Sequence, residues 1–226
     1  LQLGQTNNAQ MILKMNDMME DNSLQADVQL LRSKFFIAKA VDRLPLEVRY
    51  FYRGQILTEE RYRQSFYQIK DLEVKNAAVL GRPISLGALD NGQVSLSYAS
   101  GDKQVNMAID PGKPFSTPDF SATLAMTGLS KWPAAQDRGF HYFTLNNVAS
   151  LTRELAAGIT VGIADPSAKT IQITTKNNNA MLARDLAQAM GDAFITYDLQ
   201  RKSESAESIL RFIESQKDTV FRQLRE

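Results

Sequence analysis

Side chains that could do chemistry are few in this sequence. The only histidine, His141, follows Gly139 and Phe140 in a pattern typical of a strand. There is no cysteine, so disulfides, thiolate metal ligands and a cysteine nucleophile are excluded. Without a second histidine or a cysteine, His141 is not expected to bind a metal, and we interpret it as an ordinary strand histidine. The sequence predicts no catalytic residue, no cofactor and no metal site.

Carboxylate pairs and nucleotide-binding motifs also give no evidence of a catalytic site in the sequence. The sequence has no G-x-S-x-G elbow, no G-x-G-x-x-G and no G-x-x-x-x-G-K-[ST]. Adjacent carboxylates occur at Glu20-Asp21 and Glu59-Glu60, in polar segments that we expect to be exposed. A glycosidase needs one carboxyl whose pKa is raised by burial. A carbohydrate-active enzyme is therefore the least favoured of the hypotheses considered below.

An aromatic run, Tyr50-Phe51-Tyr52, lies between Arg49 and Arg53. Such a run could stack sugars or bases. In a strand, however, alternate residues point to opposite faces, so the pattern favours core packing of one strand face.

Composition points to a globular protein without a strongly charged surface. The chain has 226 residues, of which 43% are hydrophobic and 23% charged, and its formal net charge is +1. This charge provides no global attraction for nucleic acid, and no run of about 18 apolar residues is present that could span a bilayer. The sequence starts in a strand-like pattern and stops within a helical one, so we expect a piece of a longer protein.

The first firm element is a helix over residues 23–44. Asn22 and Gln25 form a candidate capping box. Pro45 ends the helix, and residues 47–52 predict a strand. One apolar stripe with helical spacing defines the expected buried face: Leu24, Val28, Leu31, Phe35, Ala38 and Val41.

The remainder alternates between strand and helix patterns. Period-two alternation predicts a hairpin over 93–109 and strands at 120–126 and 140–145. Asn147 begins a short helix that stops at Gly158. Two strands, 159–164 and 170–175, follow around a turn at Asp165-Pro166-Ser167. After "KNNN", a last helix starts near Ala180 and runs to the end of the sequence.

These elements predict an α+β fold, with a mixed sheet covered by helices. We expect one domain over 1–226, made of an α/β base (1–179) and a long helix (180–226) that projects from it. The strands at 47–52, 120–126, 159–164 and 170–175 are expected to join one sheet. The predicted core includes Leu31, Phe35, Leu186, Met190 and Phe194.

Several segments resemble the polysaccharide co-polymerase family, whose chain-length determinant (Wzz-type) domain occurs in bacterial tyrosine autokinases of the Wzc kind. "ADVQLLRSKFFIAKAVDRLPLEVRYFYRGQI" is similar to the family's "E-I-x-x-L-x-S" and "V-x-x-L-x-L" segments. "ERYRQSFYQI" is similar to "E-L-Y-x-x-S-P-F-x-V" through Tyr62, Ser65 and Phe66, without the Pro. The likeness continues in the same order through 141–163 and from residue 170 to the last helix. There, Asn179-Ala180 stand where the family often has Asp-Pro.

The resemblance implies a non-enzymatic periplasmic domain held between two inner-membrane helices that lie outside this sequence. Such domains form closed homo-oligomeric rings and control the chain length and export of capsular or exopolysaccharide. Expected partners are other copies of the chain, a polysaccharide polymerase and an outer-membrane export protein, but not nucleic acid. In the autokinase subtype, a cytoplasmic kinase domain follows the second membrane helix.

Two polar surfaces are candidate oligomer contacts, because a closed ring needs two different patches on each subunit. One lies on the polar face of helix 23–44, and the other in the charged middle of the last helix. Their residues are Gln29, Arg32 and Lys39, and Arg201, Lys202, Glu204 and Glu207. The alternative hypothesis is a periplasmic adaptor or interaction module with a helical hairpin, unrelated to polysaccharide length control.

Overall fold

The computed structural model describes residues 23–128, 132 and 139–223. A first helix, α1, covers residues 23–32 in this range. The elements that follow are α2 (Lys34–Val41), β1 (Val48–Arg53), β2 (Thr58–Glu60), β3 (Tyr67–Val74), a 3-10 turn (Ala77–Val79), β4 (Ile84–Ala88), β5 (Val94–Ser100), β6 (Lys103–Ile109), β7 (Pro114–Ser116), β8 (Phe120–Met126), β9 (Phe140–Leu145), α3 (Val148–Ala156), β10 (Ile159–Asp165), β11 (Thr170–Thr175) and α4 (Ala180–Gln223).

The chain divides into two compact units. Of the described residues, 23–40, 160–174 and 187–223 belong to the first unit, and those within 41–159 and 175–186 belong to the second. Helix α4 therefore starts in the second unit and continues in the first. The predicted single domain, with its boundary between 179 and 180, stays a prediction.

The second unit contains two antiparallel sheets. One has six strands in the order β2-β1-β9-β4-β5-β6, and the other has three in the order β3-β8-β7. Alternate residues of each sheet contribute to one buried cluster, as the period-two pattern predicts. Its members include Tyr67, Ile69, Ile84, Leu86, Val94, Leu96, Tyr98, Phe120, Leu124, Phe143 and Leu145.

The prediction of one mixed sheet is wrong. The strand at Val48–Arg53 belongs to the six-stranded sheet and Phe120–Met126 to the three-stranded sheet, while β10 and β11 form a two-stranded sheet of their own. Strand β8 has a fully apolar face that includes Phe120 and Leu124, both 0% exposed. Such a face must be covered by a second layer. Two sheets that face each other bury the apolar residues of both, which one sheet alone does not do.

The predicted helix 23–44 is interrupted at Ser33 and ends at Val41. The Ser33 hydroxyl accepts a hydrogen bond from the Phe36 amide at 3.1 Å, as an N-cap of α2 does. Serine side chains compete in this way with the continuing helix ladder. The break moves the buried face by one residue, so Phe36 is 0% exposed and Phe35 is 63% exposed. The prediction that Phe35 lies in the core is therefore wrong.

Three of the other core predictions and the cap prediction at Asn147 are confirmed. Leu31, Leu186 and Met190 are buried, whereas Phe194 is only half-buried, with its ring 6.3 Å from that of Phe36. The Asn147 side chain caps α3 by accepting from the Ser150 amide. Asn22 of the proposed capping box lies outside the described residues.

Strands β3 and β4 were not predicted, and each has a local reason. Strand β3 contains a register shift after Lys70, and Asp71 has a φ of 52°, so its alternation is broken. Strand β4 contains Gly87, which weakens a strand pattern. A Cβ at Gly87 would lie 2.8 Å from the Ser95 hydroxyl oxygen on β5, so a larger residue there would require this hydroxyl to move.

The α+β prediction is confirmed, and a long C-terminal helix follows the sheets. From Arg201 to Lys217 every side chain on α4 is exposed. None of the described helices combines the length and the apolar character that a membrane span requires.

Replacing Phe36 with Ala should lower the free energy of unfolding by about 3–5 kcal/mol, because it empties a fully buried ring position. Replacing Phe35 with Ala should cost less than about 1 kcal/mol, because that ring is mostly in solvent. Urea denaturation followed by circular dichroism measures both values. Equal losses for the two neighbours would contradict the helix break at Ser33.

Candidate functional site

A cleft with a volume of about 330 Å³ lies beside strand β1 in the second unit. It is formed by the residues that lead into β1, the loop from β2 to β3, and the start of β3. Its lining combines charged, aromatic and aliphatic side chains: Pro45, Glu47, Val48, Arg49, Tyr50, Glu60, Tyr62, Arg63, Gln68 and Ile69.

Arg49 and Glu60 form a largely buried ion pair at this cleft. The Arg49 Nε and Nη2 atoms donate to the two Glu60 carboxylate oxygens at 2.8 and 2.9 Å. Both side chains are 10% exposed. The Nη1 atom donates to Glu154 on α3, whose side chain is 56% exposed. Burial alone would lower the pKa of Arg49, but the hydrogen bonds and charges of Glu60 and Glu154 outweigh it and raise that pKa.

The Glu60 segment also holds the start of the long helix. The Asn179 side-chain amide donates to the Glu60 backbone carbonyl at 2.9 Å, while its oxygen accepts from the Leu182 amide and caps α4. Asparagine is a preferred N-cap residue, because its side chain satisfies a free backbone donor. The "KNNN" signal for a cap is therefore confirmed at Asn179.

A second polar cluster is formed by Tyr62, Arg63 and Asp185. The buried Tyr62 hydroxyl donates to Asp185 at 3.1 Å and accepts from the Arg63 Nε at 3.2 Å. A hydrogen bond from Arg184 is the largest cause that lowers the pKa of Asp185, and Tyr62 and Arg63 lower it further against the effect of burial. Arg63 has a φ of 54°, a left-handed conformation that side chains other than glycine rarely adopt.

The residues that carry the family resemblance in this loop hold it in place. Ser65 accepts a hydrogen bond from the Tyr67 amide through its hydroxyl, and its carbonyl accepts from the Thr127 hydroxyl at 2.8 Å. Phe66 packs edge-on against Trp132, with ring centroids 5.0 Å apart. Tyr62, Ser65 and Phe66 therefore have structural roles within this chain.

His141 lies on β9, as predicted, and is half-buried. Its ring packs against Tyr52 and Phe66, each with centroids 4.9 Å away. Trp132 and Tyr67 complete an aromatic cluster around it. The interpretation as an ordinary strand histidine agrees with this placement.

The aromatic run on β1 is divided between the two faces of the sheet. Phe51 stacks on Tyr142 of β9 with centroids 4.9 Å apart and an angle of 11°, and the Arg49 guanidinium lies 5.3 Å from the Phe51 centroid. On the other face, Tyr50 packs edge-on against Tyr67 and its hydroxyl accepts from the Ile69 amide at 3.0 Å. These rings pack on protein groups, as the alternation indicated.

The first predicted contact patch lies on α1 and α2 in the first unit. Gln29 is exposed. Arg32 donates from Nε to the Val161 carbonyl on β10 at 3.0 Å. Lys39 lies 4.8 Å from the centroid of the exposed Phe35 ring. Arg32 therefore joins α1 to β10 within the unit, and its role in a subunit contact stays a prediction.

The second predicted patch lies on α4 in the same unit. Arg201 forms ion pairs with Asp27 at 3.3 Å and Asp198 at 2.9 Å, and Lys202 pairs with Asp198 at 2.7 Å. Glu204 accepts from Gln200, and Glu207 pairs with Arg211. Charge reversal at Arg201 would also break pairs within the chain, so it is a poor probe of subunit contacts.

The sequence reading underestimated the exposed apolar side chains near the end of α4. Six large apolar side chains between residues 209 and 221 are 50–64% exposed: Ile209, Leu210, Phe212, Ile213, Val220 and Phe221. The spacing of Ile209, Ile213 and Val220 indicated a sparse helical stripe. Only the structure shows that the described residues leave this stripe uncovered.

A buried carboxylate was also missed. Asp119 is 2% exposed and accepts hydrogen bonds from Tyr98 at 2.8 Å and Asn76 at 2.7 Å. A hydrogen bond from Ser100 lowers the pKa of Asp119 most, and the Tyr98 and Asn76 bonds lower it further against burial. These hydrogen bonds therefore favour the charged form of the Asp119 carboxylate.

Comparison with models of known protein families finds no match for this chain. A search of curated proteins also finds no match. The resemblance to the co-polymerase family consequently depends on the segments quoted above.

Replacing Glu60 with Gln should lower the free energy of unfolding by about 2–3 kcal/mol, because the buried Arg49 charge loses its main partner. Replacing Glu154 with Gln, the matched control, should cost less than about 1 kcal/mol, because that carboxylate is mostly in solvent. Both values come from urea titrations at pH 7. A larger loss for Glu154→Gln would show that Arg49 depends on the exposed partner.

Asp119 should make stability depend on acid pH. Its folded-state pKa lies below the unfolded value of about 3.9, so its stabilising effect is present above that pH and is lost as the pH falls through the folded-state pKa. We expect Asp119→Asn to be less stable than the parent at pH 7 and the difference to shrink below about pH 4. Thermal unfolding of the parent and of Asp119→Asn across this pH range measures the difference in stability. Asp90→Asn, at an exposed position, is the control. A difference that is constant with pH would refute the role of the carboxylate charge.

Proposed function

We propose that this chain is a non-enzymatic assembly domain of a polysaccharide co-polymerase, acting in the periplasm to regulate the chain length and export of capsular or exopolysaccharide. The observation that carries the proposal is the uncovered apolar stripe of α4 at residues 209–221. Large apolar patches exposed to water commonly mark surfaces that bind another protein. The segment resemblance supplies the biological setting.

Residues of the second unit hold the start of α4. The second unit has a two-layer core, and Asn179 both caps α4 and bonds the Glu60 carbonyl in that unit. The pair of Glu60 with Arg49 fixes β2 to β1.

The proposed partner at the stripe is another copy of the same chain. Burying six large apolar side chains would stabilise a subunit contact more than exposed ion pairs, which contribute about 0–1 kcal/mol each. This differs from the contact surface expected from the sequence, where polar residues such as Arg201 and Lys202 were the candidates. The proposal also includes what the resemblance implies about partners and neighbouring segments: a polysaccharide polymerase, an export protein, flanking membrane helices and a following kinase domain.

The same stripe also favours a second candidate function. A periplasmic adaptor or interaction module would use an apolar helix face to pair with a second helix in a hairpin or with a different protein. This alternative does not involve control of polymer length. The length of the polysaccharide made by cells therefore distinguishes the two candidates.

Replacing Phe212 and Ile213 together with Asp in the full-length protein should abolish its oligomer and alter the length distribution of the polymer. The variant should keep its fold, because both side chains are already more than half exposed, at 64% and 55%. Size-exclusion chromatography with light scattering measures assembly, and gel electrophoresis of cell-surface polysaccharide measures length. Ser208→Asp, which adds a charge at an exposed polar position of the same helix, is the control.

Normal assembly and normal polymer length in the double variant would contradict the proposal. Loss of assembly with unchanged polymer length would favour the adaptor alternative.

A further inference from the structure

The cleft beside β1 contains polar groups that the fold does not use. Among the described residues, the Glu47 carboxylate and the Gln68 amide line the cleft without a side-chain hydrogen bond or ion pair. Arg63 makes its contacts through Nε, at 3.2 Å to the Tyr62 hydroxyl and 3.2 Å to Asp185. Its Nη groups donate no hydrogen bond to another described residue, so they can donate to a ligand.

Charges in the cleft are balanced. Among the lining residues, Glu47 and Glu60 are equal in number to Arg49 and Arg63. Two carboxylates outside the lining, Glu154 and Asp185, also pair with these arginines. An anionic ligand would meet the two glutamates, and a cationic ligand would meet the two arginines. The lining therefore favours an uncharged ligand with many groups that both donate and accept hydrogen bonds.

Apolar walls accompany these polar groups. Val48, Ile69 and Pro45 line the same cleft, together with the Tyr50 ring. Because the Tyr50 hydroxyl accepts from the Ile69 amide, its own proton can point to a ligand oxygen. A tyrosine hydroxyl is protonated at neutral pH, and burial raises the pKa of Tyr50 further.

The size and neighbourhood of the cleft fit a chain-like ligand. Its volume of about 330 Å³ is at the small end of ligand sites, which span about 300–1,000 Å³. A second cavity of about 540 Å³, also bordered by Pro45 and Glu47, contains Asp42, Asn146 and Asn147 in its lining. Glu47 therefore lines both cavities.

We propose that this cleft binds an uncharged sugar unit of an oligosaccharide, with Glu47, Gln68 and Arg63 hydrogen-bonding its hydroxyl groups. Sugar hydroxyls match the mixture of donors and acceptors, and the C–H faces of a sugar ring match the aliphatic and aromatic walls. The inference rests on the proposed function only for the source of the sugar, a nascent polysaccharide. The binding chemistry comes from the cleft.

Isothermal titration calorimetry of the purified chain with neutral and charged probes tests this site. Maltotetraose and cellotetraose are the neutral probes, and tetragalacturonate is the anionic one. We expect at least one neutral probe to bind and the anionic probe to bind at least about tenfold more weakly, a difference of about 1.4 kcal/mol. Glu47→Ala combined with Gln68→Ala should weaken neutral binding by about tenfold or more.

The matched control is Gln104→Ala, an exposed glutamine on β6 outside both cavities. It should leave binding unchanged. No binding of either neutral probe, tighter binding of tetragalacturonate, or equal effects of the cleft variant and Gln104→Ala would each overturn the site. The sugar titration and the α4 variant (Phe212 and Ile213 replaced with Asp) are independent tests. If the sugar binds but the α4 variant leaves assembly and polymer length unchanged, only the proposed function is refuted. If the neutral probes do not bind but the α4 variant loses assembly and alters polymer length, the sugar site is refuted and the proposed function stands.

Discussion

The buried charge of Arg49 is the constraint on which the second unit depends. A guanidinium with a side chain only 10% exposed must be neutralised, and its partner must reach it with good geometry. Glu60 meets this requirement from β2, a strand of three residues that pairs with β1 over the same stretch. Glu154 adds a contact from α3. One cation thus fixes a sheet edge, a helix and one wall of the cleft.

This arrangement also explains why the cleft is polar without being strongly charged. Side chains of opposite charge that pair with each other can still form hydrogen bonds with a ligand, but together they produce only a weak electric field in the cleft. The Tyr62, Arg63 and Asp185 cluster repeats the principle, with a hydroxyl between a cation and an anion. The left-handed backbone at Arg63 is tolerated because both neighbouring groups hold its side chain.

Local patterns predicted much of the fold and little of the site. Alternation identified β5, β6, β8 and β9, and asparagine signals identified the starts of α3 and α4, because these features depend on nearby residues. The division of strands among three sheets depends on which apolar faces cover each other, and one sequence does not contain that information. Ser33 could have indicated a helix break, since serine often caps, but its place inside an apolar stripe favoured continuity. The pairing of Arg49 with Glu154 joins residues 105 positions apart, a separation that spacing cannot predict.

The edges of the two larger sheets have a consequence for how copies of this chain can meet. Strand β2 is short and ends in Glu59 and Glu60, while β7 begins with Pro114, which has no amide hydrogen to donate. A bulge bends β3 at Asp71, and β6 has Lys103 at its start and Asn106 near its middle. Short, charged, bent or proline-containing edges resist the addition of a foreign strand. Strand exchange and fibrillar stacking are therefore disfavoured at these sheets even when many copies are crowded together.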